Sequence, residues 1–168
     1  MGFGLVGTLI ATFFAPTEHK AQHELVINGS QEVVWNASLK PYNMTLWMDK
    51  LDTVLVKKSD YNQADYQAEL VFQENEHTTR VQYSYDSLSA HSYAKSRIAL
   101  SEKLDLFTSF TILPLDTNQV KLIAETVLIP KSWFYRVMLS GSGDGLTEKR
   151  GAELKNIKMW VENQLPQE

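Results

Sequence analysis

The chain has 168 residues, a net charge of −4 and no cysteine. This length predicts one domain with room for a sizeable core, and the hydrophobic content of 43% is ordinary for a globular protein. The acidic balance argues against nucleic acid as the main partner, because phosphate binding needs a basic surface. Without cysteine, the chain has no disulfide, no thiol catalysis and no cysteine-ligated metal site.

Residues 1–17 form an apolar N-terminal segment without a charged side chain. As a helix, residues 2–15 would span about 21 Å, which is short of the roughly 30 Å hydrocarbon core of a bilayer. The segment also lacks the basic start and the cleavage site of a secretory signal. Three interpretations stay open: a short or truncated membrane anchor, an atypical export signal, or a segment buried in the fold. The first would make the protein membrane-associated, and otherwise the cytoplasm is expected.

Residues 20–58 predict a strand, two short helices and a second strand. The first strand, residues 20–28, is followed by turn chemistry at Asn28-Gly29, and Ser30 is a good N-cap for a short helix. Pro41 ends that helix, and residues 43–47 predict a further helical turn. From Leu51 onward the apolar period changes to two, which predicts a strand over residues 52–58.

The next seventy residues read as an antiparallel meander. Residues 66–73 and 79–85 alternate around a turn and predict a hairpin. Residues 87–101 have a weaker pattern, which predicts a short strand with flanking loops. Two long rows of inward apolar residues, 104–112 and 120–128, are joined by a turn at 114–118.

Residues 145–165 predict a long amphipathic helix after a glycine-rich break at 140–145 that we interpret as a hinge. We expect its polar face in solvent, and this face comprises Glu148, Lys149, Glu153, Lys155, Lys158 and Glu162. The fold class is therefore α+β. We expect a curved antiparallel sheet of about six or seven strands wrapped around this last helix, with two short helices after the first strand.

Three short motifs in this order resemble the START-like, or SRPBCC, superfamily, which has the helix-grip fold. Residues 25–35 resemble its opening strand, turn and helix, Trp47-Met48 resembles the passage before the next strand, and residues 145–162 resemble its final helix. The similarity covers about residues 20–164 and extends to polyketide cyclase/dehydrase-like and membrane-tethered bacterial members. The central strands lack the glycine-rich signatures of many members. The resemblance implies a START-like ligand-binding domain over residues 18–168.

In this fold, a cavity would lie between the sheet and the last helix. Strand alternation and helical spacing predict its lining, which comprises Trp47, Tyr83, Tyr85, Leu106, Phe110, Leu122, Ala124, Trp133, Met138, Leu154 and Ile157. The same side chains would also suit a dry core, and periodicity does not distinguish the two.

The leading functional hypothesis is the binding or transport of a hydrophobic small molecule or lipid, without a cofactor. A first alternative is a cyclase- or dehydratase-type enzyme that uses Tyr83 or Tyr85 with His91 as acid/base groups. A second alternative is a macromolecular interaction module. We predict no metal site, because His19 and His23 do not share a helical face, and paired carboxylates that would mark a catalytic centre are absent from the pattern.

Overall fold

The structure, a computed structural model, describes residues 16–139 and 143–164. Seven strands are present over these residues: β1 (His19–Asn28), β2 (Leu51–Lys58), β3 (Gln67–Glu74), β4 (His77–Ser89), β5 (Tyr93–Ser101), β6 (Leu104–Asp116) and β7 (Gln119–Pro130). The helices are α1 (Gln31–Leu39), α2 (Pro41–Trp47), α3 (Trp133–Leu139) and α4 (Gly143–Asn163).

The strands form one antiparallel sheet in the order β1-β7-β6-β5-β4-β3-β2. β1 and β2 therefore occupy opposite edges, although α1 and α2 alone separate them in sequence. The long helix α4 follows the sheet at the end of the chain. This confirms the predicted α+β helix-grip architecture, including the two short helices after the first strand.

The first short helix begins where the sequence predicted, whereas the second begins two residues earlier than predicted, at Pro41 instead of Asn43. The hydroxyl of Ser30 accepts a hydrogen bond from the backbone N–H of Val33, which caps α1. α2 begins at Pro41, where the fixed φ of proline suits the first helical position.

The region of residues 87–101 contains more regular structure than the sequence predicted. β4 continues to Ser89, and β5 starts at Tyr93 and runs for nine residues. The turn between them places His91 at a φ of 64°. The sequence did not predict this hairpin, because polar residues such as Ser92 and Ser96 interrupt the apolar alternation on which the prediction relied.

Polar contacts fix α4 along the edge strand β1. His23 Nε2 donates to the carbonyl of Thr147 at 2.8 Å. Lys158 donates to the carbonyl of Val26 at 2.9 Å, and the backbone N–H of Asn28 donates to the carboxylate of Glu162 at 3.0 Å. The helix is thereby held near both of its own ends against the second half of the strand.

The core lies between α4 and the inner face of the sheet. The inward rows of β6 and β7 are buried from Thr108 to Ile112 and from Val120 to Leu128, as the alternation predicted. Leu154, Ile157 and Val161 of α4 belong to the same buried cluster and are almost fully buried. Each such side chain contributes about 1.5–3 kcal/mol by leaving water.

The last helix differs from its prediction in two respects, and two predicted segments lie partly or wholly outside the described residues. Glu153, which we expected on the solvent face of the last helix, is buried, because this helix presents a face to the sheet that is wider than its apolar stripe. α4 already begins at Gly143, so part of the predicted break is helical, and residues 140–142 lie outside the described part of the chain. Residues 1–15 also lie outside it, and no helix within the described ranges is long and apolar enough to cross a membrane.

Candidate functional site

A cavity of about 450 Å³ opens between the first turns of α4 and one end of the sheet. At this end β3, β5 and β7 finish and β4 and β6 begin, so side chains of five neighbouring strands converge there. The loop between α2 and β2 closes the side of the cavity. Its lining comprises Met48, Asp49, Lys50, Phe72, Glu74, Thr79, Val81, Ile98, Leu100, Leu104, Leu106, Leu128, Leu146, Lys149, Arg150 and Glu153.

The cavity has an apolar wall and a charged mouth. Leucine, isoleucine, valine, phenylalanine and methionine side chains supply most of the wall. At the mouth, Lys50 forms an ion pair with Glu74, and Lys149 approaches Asp49 with 3.8 Å between Nζ and Oδ2. These four side chains are largely exposed, so the pairs mark the boundary with water and contribute little stability.

A buried ion pair forms the floor of the cavity. Arg150 Nη1 and Glu153 Oε2 lie 2.6 Å apart, and both side chains are 5% exposed. Arg150 Nη2 also donates to the hydroxyl of Thr108 at 3.3 Å. The Nε of Arg150 is buried and has no hydrogen-bond partner among the described residues.

Burial perturbs both members of this pair. Burial lowers the pKa of the Arg150 guanidinium, and the neighbouring Glu153 carboxylate opposes the change. Burial likewise raises the pKa of the Glu153 carboxyl, against the effect of Arg150. Because an arginine remains protonated in proteins, the shift that matters for chemistry is that of Glu153.

A row of polar side chains crosses the sheet beneath Arg150. Tyr85, Ser96, Thr108 and Thr126 are direct partners on β4, β5, β6 and β7, and all are buried. Ser96 donates to the backbone carbonyl of Thr108 at 3.2 Å. On β5, β6 and β7 the row lies two positions along the strand from Ile98, Leu106 and Leu128, which line the cavity.

A second, much smaller void lies on the core side of Arg150. Its volume is about 10 Å³, and it is lined by Ser38, Met44, Trp47, Met48, Tyr83, Ser96, Ile98, Thr108, Phe110 and Arg150. This is close to the smallest volume that holds one water molecule. Met48, Ile98 and Arg150 line both spaces, so they form the partition between the cavity and the void.

Three tyrosine rings cluster beside this partition. The ring centroids of Tyr66, Tyr83 and Tyr85 are 5.3 to 6.0 Å apart. Burial raises the pKa of Tyr83 to about 12, against the effect of the hydroxyl groups of Ser96 and Tyr85. Burial also raises the pKa of Tyr66 and of Tyr85. At neutral pH these phenols are therefore protonated hydrogen-bond donors rather than bases.

The residues predicted to line the cavity separate into four groups. Leu106 lines the cavity itself. Trp47, Tyr83 and Phe110 line the small void, where the rings of Trp47 and Phe110 meet edge to face at 5.9 Å. The members that pack in the closed core or the tyrosine cluster are Tyr85, Leu122, Ala124, Leu154 and Ile157. Trp133 and Met138 form the fourth group.

Trp133 and Met138 of α3 are exposed by 55% and 56%, and neither lines the cavity. Helical spacing led us to expect both side chains in the cavity wall, but no part of the described chain covers them. His91 is also exposed and lies in the β4–β5 turn, where the centroid of its ring is 5.7 Å from that of the Trp35 ring. The structure therefore does not bring His91 to the cavity, and the acid/base group proposed with the tyrosines is not assembled there.

Sequence reasoning missed the ion pair and most of the real wall. Arg150 and Glu153 are three residues apart on a helix, a spacing at which opposite charges meet, and this was the available signal. Val81, Ile98 and Leu104 lie on inward rows that the alternation identified or could have identified. Among the described residues, no group of three or more histidine, aspartate or glutamate side chains is placed to hold a metal ion.

No protein-family profile matches the chain, and no curated protein matches its sequence. Solved structures match it closely in shape. The Zhui aromatase/cyclase from Streptomyces sp. R1128 aligns with a TM-score of 0.69 at 9% identity, covering 89% of this chain and 96% of the other. A START superfamily protein from Mycobacterium smegmatis aligns with a TM-score of 0.66 at 12% identity, covering 88% and 99%.

Norcoclaurine synthase from Thalictrum flavum, in complex with dopamine and hydroxybenzaldehyde, aligns with a TM-score of 0.63 at 13% identity, covering 95% of this chain and 94% of that one. At such identities the similarity shows the fold alone. The resemblance to START-like proteins that the motifs indicated is thus confirmed as a shared helix-grip fold.

Proposed function

We propose that this chain, which has the helix-grip fold of START-like proteins, binds a hydrophobic small molecule or lipid in the cavity between the sheet and α4. The observation that carries the proposal is a cavity of about 450 Å³ with a mostly apolar wall. Cavities of roughly 300–1,000 Å³ with a few polar groups suit small-molecule ligands. Affinity would come from apolar ligand surface leaving water, at about 25 cal/mol per Å².

The arrangement of charges supports an end-on mode of entry. The apolar part of a ligand would contact Leu104, Leu106 and Leu128, while the exposed ion pairs at the mouth stay in water. Transport between membranes, with residues 1–17 as a tether and residues 18–168 as the binding domain, is the fuller form of this proposal.

Filling the cavity tests the proposal. Leu106→Trp puts a large ring into the cavity, whereas Leu113→Trp places the same ring on an exposed site of the same strand. We expect the unaltered chain and the Leu113 variant to bind the neutral probe N-phenyl-1-naphthylamine and to retain lipid in native mass spectrometry. The Leu106 variant should bind at least about tenfold more weakly, which corresponds to about 1.4 kcal/mol. An unaltered chain that takes up neither probe nor lipid would contradict the proposal.

A second candidate function, an enzyme of the cyclase or dehydratase type, is supported by Glu153. A buried carboxyl with a raised pKa beside an apolar cavity is a typical general acid or base. This candidate replaces His91 and the tyrosines as the acid/base group. It predicts a turnover of a cavity-bound polyketide-like substrate that Glu153→Gln removes while binding of the neutral probe is kept.

A further inference from the structure

We infer that α3 docks this protein on the surface of a lipid bilayer through its apolar face, which consists of Trp133, Phe134 and Met138. This face lies outside the cavity, so its role holds or fails independently of ligand binding there. Three features of the molecule carry the inference: the exposure of α3, its place at the cavity end of the sheet, and the apolar residues that precede the described chain.

The apolar face of α3 is not covered by any described part of the chain. Trp133, Phe134 and Met138 are each more than half exposed, and at about 100° per residue they lie within an arc of about 140°. The rings of Trp133 and Phe134 meet edge to face at 6.1 Å. Arg136 is the one charged residue of this helix. Contiguous exposed apolar surface of this kind marks an interaction site.

α3 lies at the end of the sheet where the cavity opens. Leu128 on β7 lines the cavity five residues before α3 begins, and Leu146 on α4 lines it seven residues after α3 ends. The backbone N–H of Lys131 donates to the carbonyl of Lys103 at 2.8 Å, which ties the start of α3 to the turn before β6. A bilayer in contact with α3 would therefore adjoin the cavity end of the protein.

The described chain starts at the same corner of the protein. β1 begins at His19, which is paired with Leu128, and the described chain begins at Pro16, three residues earlier. Three residues reach at most about 10 Å, so this start lies close to the strand end that leads into α3. Residues 2–15 carry no charged side chain and include three phenylalanines. A bilayer is a partner that accommodates both this segment and the apolar face of α3.

Cations beside α3 suit the headgroups of a bilayer. Lys131 and Arg97 lie 2.8 Å and 2.9 Å from the same carboxylate oxygen of Asp105, so one buried anion faces two cations. Arg136 adds a third cation on α3 itself, beside Tyr135. Tryptophan, tyrosine and basic side chains are enriched where a protein meets the headgroup layer of a membrane. On a chain with a net charge of −4, this local positive charge predicts that the α3 corner faces anionic lipid.

Quenching by brominated lipid tests the inference on the full chain. Vesicles of phosphatidylcholine and phosphatidylglycerol, in a ratio of about 3:1, are prepared with and without bromine on the acyl chains. Trp35 and Trp47 are buried and Trp160 is partly buried, so Trp133 is the most exposed of the four tryptophans. We expect brominated vesicles to quench the tryptophan emission of the unaltered chain, and to quench that of Trp133→Phe at least about threefold less.

Two double variants separate the apolar face of α3 from other exposed apolar residues. Phe134→Ser/Met138→Ser keeps Trp133 as the reporter and should reduce its quenching at least about twofold, because much of the apolar area that enters the bilayer is gone. Leu113→Ser/Leu115→Ser changes two comparably exposed leucines at the end of β6 away from the cavity and should leave the quenching unchanged. Both variants should keep the affinity for N-phenyl-1-naphthylamine, since neither pair lines the cavity.

Equal quenching of the unaltered chain and of Trp133→Phe would overturn the inference, even if residues 1–15, which contain no tryptophan, hold the protein at the vesicle. An unaltered chain that is not quenched would overturn it as well. Emission of Trp133 that shifts with protein concentration but not with vesicles would assign the face to a second copy of the chain instead. A chain that is quenched but takes up no probe would uphold the docking surface and contradict the proposed function.

Discussion

A Cβ atom on Gly29 would lie 2.8 Å from Cγ1 of Val161, so the turn after β1 touches α4 without space for a side chain. Val161 is fully buried and stiff, and it has little freedom to move away. We expect Gly29→Ala to lower the free energy of unfolding by about 1–3 kcal/mol, because the new Cβ would overpack against Val161 and because residues with a side chain rarely adopt the φ of 156° at this position. Urea denaturation followed by tryptophan fluorescence measures this change.

Gly145 supplies the control for that substitution. It lies in α4, and a Cβ there meets no atom within 4 Å. Gly145→Ala should leave the stability unchanged or raise it by up to about 1 kcal/mol, since alanine is the better helix former. An equal loss in both variants would show that neither the contact with Val161 nor the backbone conformation of Gly29 is the cause.

The buried ion pair predicts a strong energetic coupling. Arg150→Met and Glu153→Met each leave one buried charge without its partner, which costs about 3–5 kcal/mol. The double variant should lose much less than the sum of the two, because it leaves no unpaired charge. A double-mutant cycle of urea unfolding checks this, and additive effects of the two substitutions would contradict it.

Asp105 predicts part of the acid sensitivity of the protein. Burial by itself would raise the pKa of this carboxyl, but hydrogen bonds from Lys131 and Arg97 hold the pKa below its usual range. The folded state therefore binds a proton less readily than the unfolded state, and the stability that this difference contributes is lost as the pH falls below about 4. Asp105→Asn should flatten the loss of stability between pH 5 and pH 2, as measured by urea unfolding at each pH. An unchanged slope would show that other carboxylates dominate.

Because the pKa of Tyr83 is high, we expect this residue to contribute nothing to the ultraviolet absorbance change of the folded protein near pH 10. With a pKa of about 12, this phenol should stay protonated while an ordinary tyrosine ionises near pH 10. Tyr83→Phe should therefore leave the ultraviolet absorbance change of the folded protein between pH 9 and pH 11 as it was. In denaturant, the same variant should lose the signal of one tyrosine, which provides the control.

α4 should contribute to the core mainly through its buried stripe. Ile157→Ala removes a side chain that is 1% exposed and should cost about 2–5 kcal/mol. Met159→Ala, two positions along the same helix and 56% exposed, should change stability by less than about 0.5 kcal/mol. Thermal unfolding of the two variants compares them directly.

The sheet could be predicted because alternation is a local property of the chain. The inward rows of β6 and β7 were visible in the sequence, and all of the long strands except β5 followed from such rows. The sequence did not show at which residue along a strand the inward side chains stop packing in the core and begin to line a cavity. Leu106 and Phe110 lie on the same row of β6, but Phe110 meets the Trp47 ring whereas Leu106 faces open space. That difference depends on side chains from distant segments.

The floor of the cavity was missed for a different physical reason. Charged residues are rarely buried, so the prediction assigned Glu153 to solvent. Its burial depends on the ion pair with Arg150, one helical turn away, and Arg150 in turn donates to Thr108 on the sheet. Neither contact can be predicted from the residue type of Glu153 alone. The exposure of Trp133 also could not be read from spacing, because an apolar helical stripe does not state whether anything covers it.

The position of β1 at the sheet edge has a consequence for how the protein folds. Asn28 and Gln119 are partners in the sheet although 91 residues separate them along the chain. The hairpins from β2 to β7 connect neighbouring strands, so they can form early at a low entropic cost of loop closure. β1 is therefore synthesised long before its partner strand, and it must wait until β7 and α4 have left the ribosome before its native contacts can form.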